Sequence, residues 1–270
     1  MLPHASSALL RFSNALRVHG LAGTLYRACR YPLVRILSMR RRQRIFSSTD
    51  TASVFTQIYE SNWWGSEESV SGTGSTLAYT ENIRAELPLL FEKFGIRSVF
   101  DAPCGDFNWM RCVVESCDID YIGGDIVPQL IARNVSRFAG ERTRFSVANI
   151  ISDEFPKVDL WICRDCLIHF SFGDIYSTLA NFANSDIRYL LTTTHINKSG
   201  FKNMDIQTGD VRLIDLFSAP FFLPTNYLYA IDDWVGPEVP RMMVLFNRTQ
   251  VAEALPKMRA ALGVHSANTA

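Results

Sequence analysis

A chain of 270 residues that is 47% hydrophobic and 12% aromatic can bury a sizeable core, as one large domain or two small ones, which excludes disorder along most of its length. Lys+Arg and Asp+Glu balance at 27 each, but residues 1–49 hold nine arginines and no acid, leaving 18 bases against 27 acids beyond them. The basic character is local, so no nucleic-acid partner is implied.

The basic leader, residues 1–49, carries Leu9, Phe12 and Leu16 at helical spacing beside Arg11 and Arg17. Leu25, Tyr26, Val34, Ile36 and Leu37 follow among Arg27, Arg30 and Arg35, interrupted by Gly20, Gly23 and Pro32. Arg40, Arg41, Arg42 and Arg44 close it. No apolar run approaches the roughly 20 residues of a bilayer span. A secretory signal would need an unbroken apolar core and a cleavage site, and neither is clear. Three readings stay open: an amphipathic helix in peripheral contact with anionic membrane through residues 1–45, a mitochondrial transit peptide, and a solvated helix packed on the domain.

Residues 50–80 read as a lid or linker. They hold Trp63, Trp64 and a Ser/Gly-rich run with Ser69, Ser71, Gly72, Gly74 and Ser75, a pattern of flexible loops that also suits a cover over a cleft. From residue 81 to 265 the pattern is regular, and residues 266–270 are a tail. "TENIRAELPLLFEKFG" predicts a helix capped by Thr80 and closed by Gly95. Then come a strand in "RSVFDA", a helix in "FNWMRCVVES", a strand in "IDYIGGD", a helix in "VPQLIARNVSRFAG" and a strand in "TRFSVANI". "KVDLWICRD" is a strand, "SFGDIYSTLANFAN" a helix and "DIRYLLTTTH" a strand. "YLYAID" and "RMMVLFN" look like a further strand pair before a closing helix in "QVAEALPKMRAALG". Strands alternating with helices of about a dozen residues predict a doubly wound, Rossmann-like α/β fold with a mostly parallel sheet.

Six cysteines, Cys29, Cys104, Cys112, Cys117, Cys163 and Cys166, fall mostly in apolar contexts of a chain too large to need cross-links. Reduced thiols and a cytoplasmic protein are expected. Cys163 and Cys166 have CxxC spacing, but there is no second such pair and Cys163 lies inside an apolar strand, so no metal site is expected.

In an open parallel sheet, ligands bind beyond the carboxyl ends of the strands. Those ends carry Asp101 with the turn Ala102-Pro103-Cys104-Gly105-Asp106, then Asp125 with Ile126, Asn149 with Ile150, Arg164-Asp165, and His195. A phosphate cradle wants several glycine amides and usually a lysine; this turn offers one glycine and two acids. A ligand with a cationic amine and sulfonium, a ribose and an adenine suits it better. Gly105 lets backbone approach the ligand, Asp101 orients the loop or meets the amine, and Asp125 accepts the ribose hydroxyls. Asn149 bonds the adenine edge. Plainer roles compete: Asp101 and Asp125 as caps of the turn and of the next helix, and Trp63, Trp64 and Trp109 as packing.

"VFDAPCGDFNW", "YIGGDI" and "DLWICRDCL" together resemble the class I S-adenosylmethionine-dependent methyltransferases over residues 83–248. In them the first motif commonly has two or three glycines; here Pro103 and Asp106 stand where small residues are usual. The resemblance implies a seven-stranded sheet whose antiparallel edge strand "RMMVLFN" supplies, with S-adenosylmethionine as cofactor. "NWWGSEESVSGTGSTLAYTENI", "FNWM" and "RDCLIHFSF" are similar to a narrower bacterial group that accompanies surface-polysaccharide genes, which implies a hydroxyl of a sugar or glycan precursor as acceptor. A lipid or small metabolite as acceptor, and a non-catalytic cofactor-binding module at a membrane, remain alternatives. A sugar hydroxyl is a poor nucleophile until its proton is taken. His169, four residues after Asp165, is the candidate base with Asp165 orienting; His195, beside a Thr192–Thr194 run read as a hydroxyl-lined wall, is the second candidate.

Overall fold

A computed structural model describes residue 39 and residues 41–263. It divides the chain at residue 49 into two units. In the first, residues 41–45 are helical. The leader's earlier predicted helical stretches, like the tail 266–270, lie outside the described residues.

The second unit begins with a helix, α1 (Thr51–Glu60), where the sequence reading has only a lid or linker. Asp50 caps it: one carboxylate oxygen accepts from the Ser53 amide and hydroxyl. Val54 and Ile58, four apart, form its buried stripe. Helix α2 (Glu81–Phe94) follows and ends at Gly95 in the left-handed conformation that favours glycine. Thr80 precedes it without capping it; the buried Thr80 hydroxyl instead donates to the Thr76 carbonyl at 2.8 Å. The alternation then runs β1 (Ser98–Asp101), α3 (Met110–Ser116), β2 (Asp120–Asp125), α4 (Pro128–Phe138), β3 (Thr143–Val147), β4 (Leu160–Cys163), α5 (Phe172–Asn184), β5 (Tyr189–His195), β6 (Tyr229–Asp232), β7 (Arg241–Asn247) and α6 (Arg248–Leu262).

The seven strands form one sheet of order β3-β2-β1-β4-β5-β7-β6. The first five are parallel, and β7 runs against both β5 and β6. The reversed strand is therefore next to the edge, and β6 is the edge strand in the place expected for "RMMVLFN". Both faces of the sheet are covered, which explains why β4 reads as an unbroken apolar run and β5 is buried along nearly its whole length. Val99, Leu160, Ile162 and Leu191 pack with Ile83, Leu87 and Leu90 of α2. Trp161, Cys163, Leu190 and Phe246 face the other way, onto Ile175, Leu179 and Phe182 of α5 and Val251 and Met258 of α6. Chain order reverses between β1 and β4, so the crevice of this sheet opens at their tips.

Candidate active site

The turn after β1 is stitched to its neighbours before any ligand is considered. The Trp161 indole donates to the Ala102 carbonyl at 2.9 Å, and the Cys104 amide donates to the Gly124 carbonyl at 2.8 Å. The Gly105 amide donates to Asp125 Oδ2 at 3.1 Å, while the buried Asn134 amide nitrogen donates to the Gly105 carbonyl at 2.7 Å. Gly105 has φ +54°, a left-handed value. A Cβ there would stand 2.1 Å from Ser71 Oγ, so the close approach that demands glycine is made by the protein's own 69–75 segment.

Asp106 fastens that segment. Its carboxylate accepts from Ser69 Oγ at 2.9 Å and the Val70 amide at 3.0 Å, and its own amide donates to Ser71 Oγ at 3.3 Å. Further along, Asn108 bonds the Ser75 carbonyl and Glu68, and Glu68 accepts from the Leu77 amide. The Ser/Gly run is thus a hydrogen-bonded cover, where composition suggested a flexible loop.

Under it lies a cavity of about 320 Å³, in the range of small-ligand sites. Of the residues picked from the strand tips, Asp101, Pro103, Cys104, Gly105, Asp106, Asp125, Ile126, Asn149, Ile150, Arg164, Asp165 and His169 line it, as do Trp64, Ser71, Gly72, Gly74, Ser75 and Trp109. Ala102, Trp63 and His195 do not. Ala102 is buried in the apolar core. His195 is buried too, with Ile214 as its neighbour: Nδ1 accepts from the Ile214 amide at 3.1 Å. The Thr192–Thr194 hydroxyls also turn inward. Thr192 bonds the Cys163 carbonyl, Thr193 takes the Asp165 amide and donates to Met243 Sδ, and Thr194 serves Ile214 and Leu216. They form no wall of the site.

At one end of the cavity sit two buried carboxylates without a salt bridge. Asp101, 2% exposed, accepts from the Tyr121 hydroxyl at 2.8 Å, and burial pushes its pKa to about 7. Asp125 accepts from the Val127 amide as well as from Gly105, a local turn just ahead of α4, whose N-cap is Val127 without a side-chain bond; burial still raises the Asp125 pKa to about 6. The Asn149 side-chain oxygen accepts from the Ile151 amide in a local turn, so only its nitrogen side is free of that bond.

At the other end, beyond β4, Asp165 has φ +50° and its amide donates to Thr193 Oγ1 at 2.8 Å, which holds that backbone turn. Burial opposes its charge, but Arg164 and Arg241 outweigh burial and keep its pKa below the usual carboxylate value. Arg164 makes a two-pronged bond to Asp233, at 2.8 and 2.9 Å, and lies over the Trp109 ring. Arg241 reaches Asp165 at 3.0 Å and Glu238 at 3.4 Å, and lies over the Tyr79 ring. The Tyr79 hydroxyl donates to Glu238 at 2.6 Å; burial and that bond push its pKa to about 12. His169 lies with Nδ1 2.8 Å from the Asp210 carbonyl, which fixes the proton on Nδ1 and leaves Nε2 bare. Burial lowers its pKa, so the ring is neutral. Its partner across the cavity is the Trp64 ring, centroid to centroid 5.4 Å.

Thr51, Phe55 and Tyr59 of α1, with Tyr79, Glu238 and Arg241, also line the cavity, and Asn134 and Asp233 support it; the sequence reading names none of them. For Arg241 a signal exists: a reversed strand begins where its parallel neighbours end, and Arg241 sits opposite His195 in the register. Asp233 and Glu238 carry no comparable mark. Among the described residues no group of His, Cys, Asp or Glu is placed to hold a metal, and no helix is long and apolar enough to cross a membrane. The described cysteines are unpaired.

A sheet of this order with one strand reversed, and a cavity where the acid-tipped β1 and β2 end, define the fold of the class I S-adenosylmethionine-dependent methyltransferases. No family profile and no curated protein matches the sequence. Solved structures do. A SAM-dependent methyltransferase of Leishmania major aligns at TM-score 0.56 and 13% identity, over 73% of this chain and 85% of that one. The 1,6-didemethyltoxoflavin-N1-methyltransferase of Burkholderia thailandensis, bound to 1,6-didemethyltoxoflavin and S-adenosylhomocysteine, aligns at 0.54 and 16%, over 73% and 86%. Magnesium protoporphyrin IX methyltransferase of Synechocystis with S-adenosylhomocysteine aligns at 0.51 and 14%, over 73% and 99%. At these identities the likeness is one of fold.

Proposed function

We propose that this protein transfers a methyl group from S-adenosylmethionine to a hydroxyl of a sugar or glycan precursor. The observation that carries the reading is the division of one cavity into two chemistries. The β1–β2 end holds two buried carboxylates with raised pKa values and no cation bonded to them, an environment that a positively charged ligand relieves. The cofactor fits that donor set: Asp125 would accept its ribose hydroxyls, Asp101 would face its positive charge, and Asn149 would meet its adenine. Bound there, S-adenosylmethionine supplies a methyl group activated on a sulfonium.

Toward β4, Trp64 lies against His169 and Phe55 against Phe170, Arg241 joins Asp165 to Glu238, and Tyr59 shares the lining. Aromatic faces beside hydrogen-bond acceptors suit a sugar, whose ring offers C–H groups on its faces and hydroxyls on its rim. His169 fits the role of base: Nδ1–H is spent on the Asp210 carbonyl, and the bare Nε2 is free to take a hydroxyl proton. Asp165, held ionised, orients the acceptor. His195, away from the cavity, is left out of the reaction.

Residues 1–45 are proposed to bring the enzyme to anionic membrane, on the strength of nine arginines without an acid before Asp50. The test of the activity is transfer of labelled methyl from S-adenosylmethionine into the cell's surface glycans by the purified chain, with the glycans of a strain lacking the gene as acceptor. Label in lipid or small metabolites alone overturns the acceptor. Cofactor binding without transfer to any fraction leaves a non-catalytic module.

A further inference from the structure

The cavity's charge says something about the form in which a sugar can enter. Among the described residues its lining holds five carboxylates, Asp101, Asp106, Asp125, Asp165 and Glu238, against two guanidiniums, Arg164 and Arg241, and no lysine. Both guanidiniums already face carboxylates, although the buried Arg241 Nε lacks a hydrogen-bond partner among the described residues. Arg164 spends Nε and Nη2 on Asp233, with Nη1 3.7 Å from Asp165. Arg241 spends Nη2 on Asp165 and Nη1 on Glu238. Gly74 of the cover packs onto this pair so closely that a Cβ would lie 3.3 Å from both Arg241 Nη2 and Asp165 Oδ2. The turn amides that would greet a phosphate are taken as well: Gly105 N–H by Asp125, Asp106 N–H by Ser71. The exposed residues of the described lining are Thr73, Val211 and Glu238, so a charged group projecting from the mouth meets a neutral hydroxyl, an apolar side chain and an acid, and no cation.

We propose that the acceptor is an uncharged glycoside, a sugar already joined to its neighbour, and that nucleoside-diphosphate sugars are excluded. This rests on the sugar-hydroxyl reading above and narrows it. The reaction that supplies the substrate is then a glycosyl transfer: the diphosphate has left before the methyl group arrives, and the methylated hydroxyl belongs to a chain or its terminal unit. The electrostatic logic is exclusion by like charge. Bringing a pyrophosphate against Glu238 and Asp165, where each guanidinium of the described lining already faces a carboxylate, is a mismatch of the kind interfaces use to reject wrong partners.

The test supplies the full-length protein with labelled S-adenosylmethionine and a panel of sugars in two forms, as methyl glycosides or short neutral oligosaccharides and as nucleoside diphosphates of the same sugars. The expected result is label in the neutral form, with kcat/KM about a hundredfold or more above the diphosphate form. Glu238→Gln and added salt should both narrow that gap. Equal or better use of the diphosphate form overturns the inference and leaves sugar methylation standing. A gap that neither Glu238→Gln nor salt alters overturns the charge argument. Label in neither form, but in a lipid or metabolite fraction, overturns the sugar reading and this inference with it.

Discussion

Asp101 gives the sharpest check on the electrostatics of the site. It is 2% exposed, and burial lifts its pKa from 3.8 to about 7 in spite of the Tyr121 bond and the attraction of Arg164. A carboxyl whose pKa is higher folded than unfolded binds a proton more tightly in the native state. Its contribution is therefore neutral below the unfolded value, becomes destabilising as pH rises through the window from 3.8 to about 7, and is fully unfavourable above it. At about 1.4 kcal/mol per pH unit the full penalty is on the order of 4 kcal/mol, an order-of-magnitude figure. Asp101→Asn removes the charge and keeps an oxygen for the Tyr121 hydroxyl, now 2.8 Å from the carboxylate. Urea denaturation of the cofactor-free protein should show the variant more stable by under about 2 kcal/mol near pH 5 and by about 4 kcal/mol near pH 8. S-adenosylmethionine should expel a proton from the wild type around neutral pH, seen as a buffer-dependent heat in calorimetry, and far less from the variant. A stability gap of the same size at both pH values would refute the reasoning, because Asp101 would then be ionised and compensated in the free protein.

Asp125→Ala removes the proposed acceptor of two ribose bonds and should weaken S-adenosylmethionine by about a hundredfold in titration calorimetry; unchanged affinity sinks the assignment. His169→Ala should lower turnover by about 10²–10⁴-fold with cofactor affinity intact, and wild-type turnover should hold as pH falls past 6.5, because burial lowers the pKa of this ring from that value. Gly105→Ala puts a Cβ 2.1 Å from Ser71 Oγ at a left-handed φ, so proteolysis should cut within residues 69–75 far faster than in the wild type, and Ser71→Gly in the same chain should recover part of the protection. Gln at positions 40, 41, 42 and 44 should cut binding of the full chain to anionic vesicles, at about 1 kcal/mol per arginine removed; equal pelleting refutes the membrane role.

The positions of Asp101, Asp125, Asn149 and Asp165 are legible because parallel strands leave a plain period, and cavity-lining residues follow directly from where each strand stops. What could not be read were partners far apart in the chain. Arg164 was visible, but its partner Asp233 lies 69 residues on and carries no local pattern. The Asp165–Arg241 pair spans 76 residues. Helix α1 went unread although Asp50, Val54 and Ile58 spell a cap and a stripe; the tryptophans and glycines after it drew the eye to a loop. The threonines of β5 misled for a physical reason: a hydroxyl in a strand bonds neighbouring backbone as readily as a ligand.

The reversed strand has a consequence for how this protein can change. Because β7 starts at the edge where the others stop, residues 233–241 deliver Asp233, Glu238 and Arg241 to the β4 end of the cavity from the last fifth of the chain. The groups proposed above for the methyl donor, Asp101, Asp125 and Asn149, come from an earlier stretch of the same lining. Mutation and recombination can therefore alter the late-stretch part of the proposed acceptor half, the ion-paired side around Glu238 and Arg241, while the proposed donor half is inherited untouched. A swap of that stretch between relatives would be heritable retuning of preference, confined to residues outside the set proposed for the cofactor.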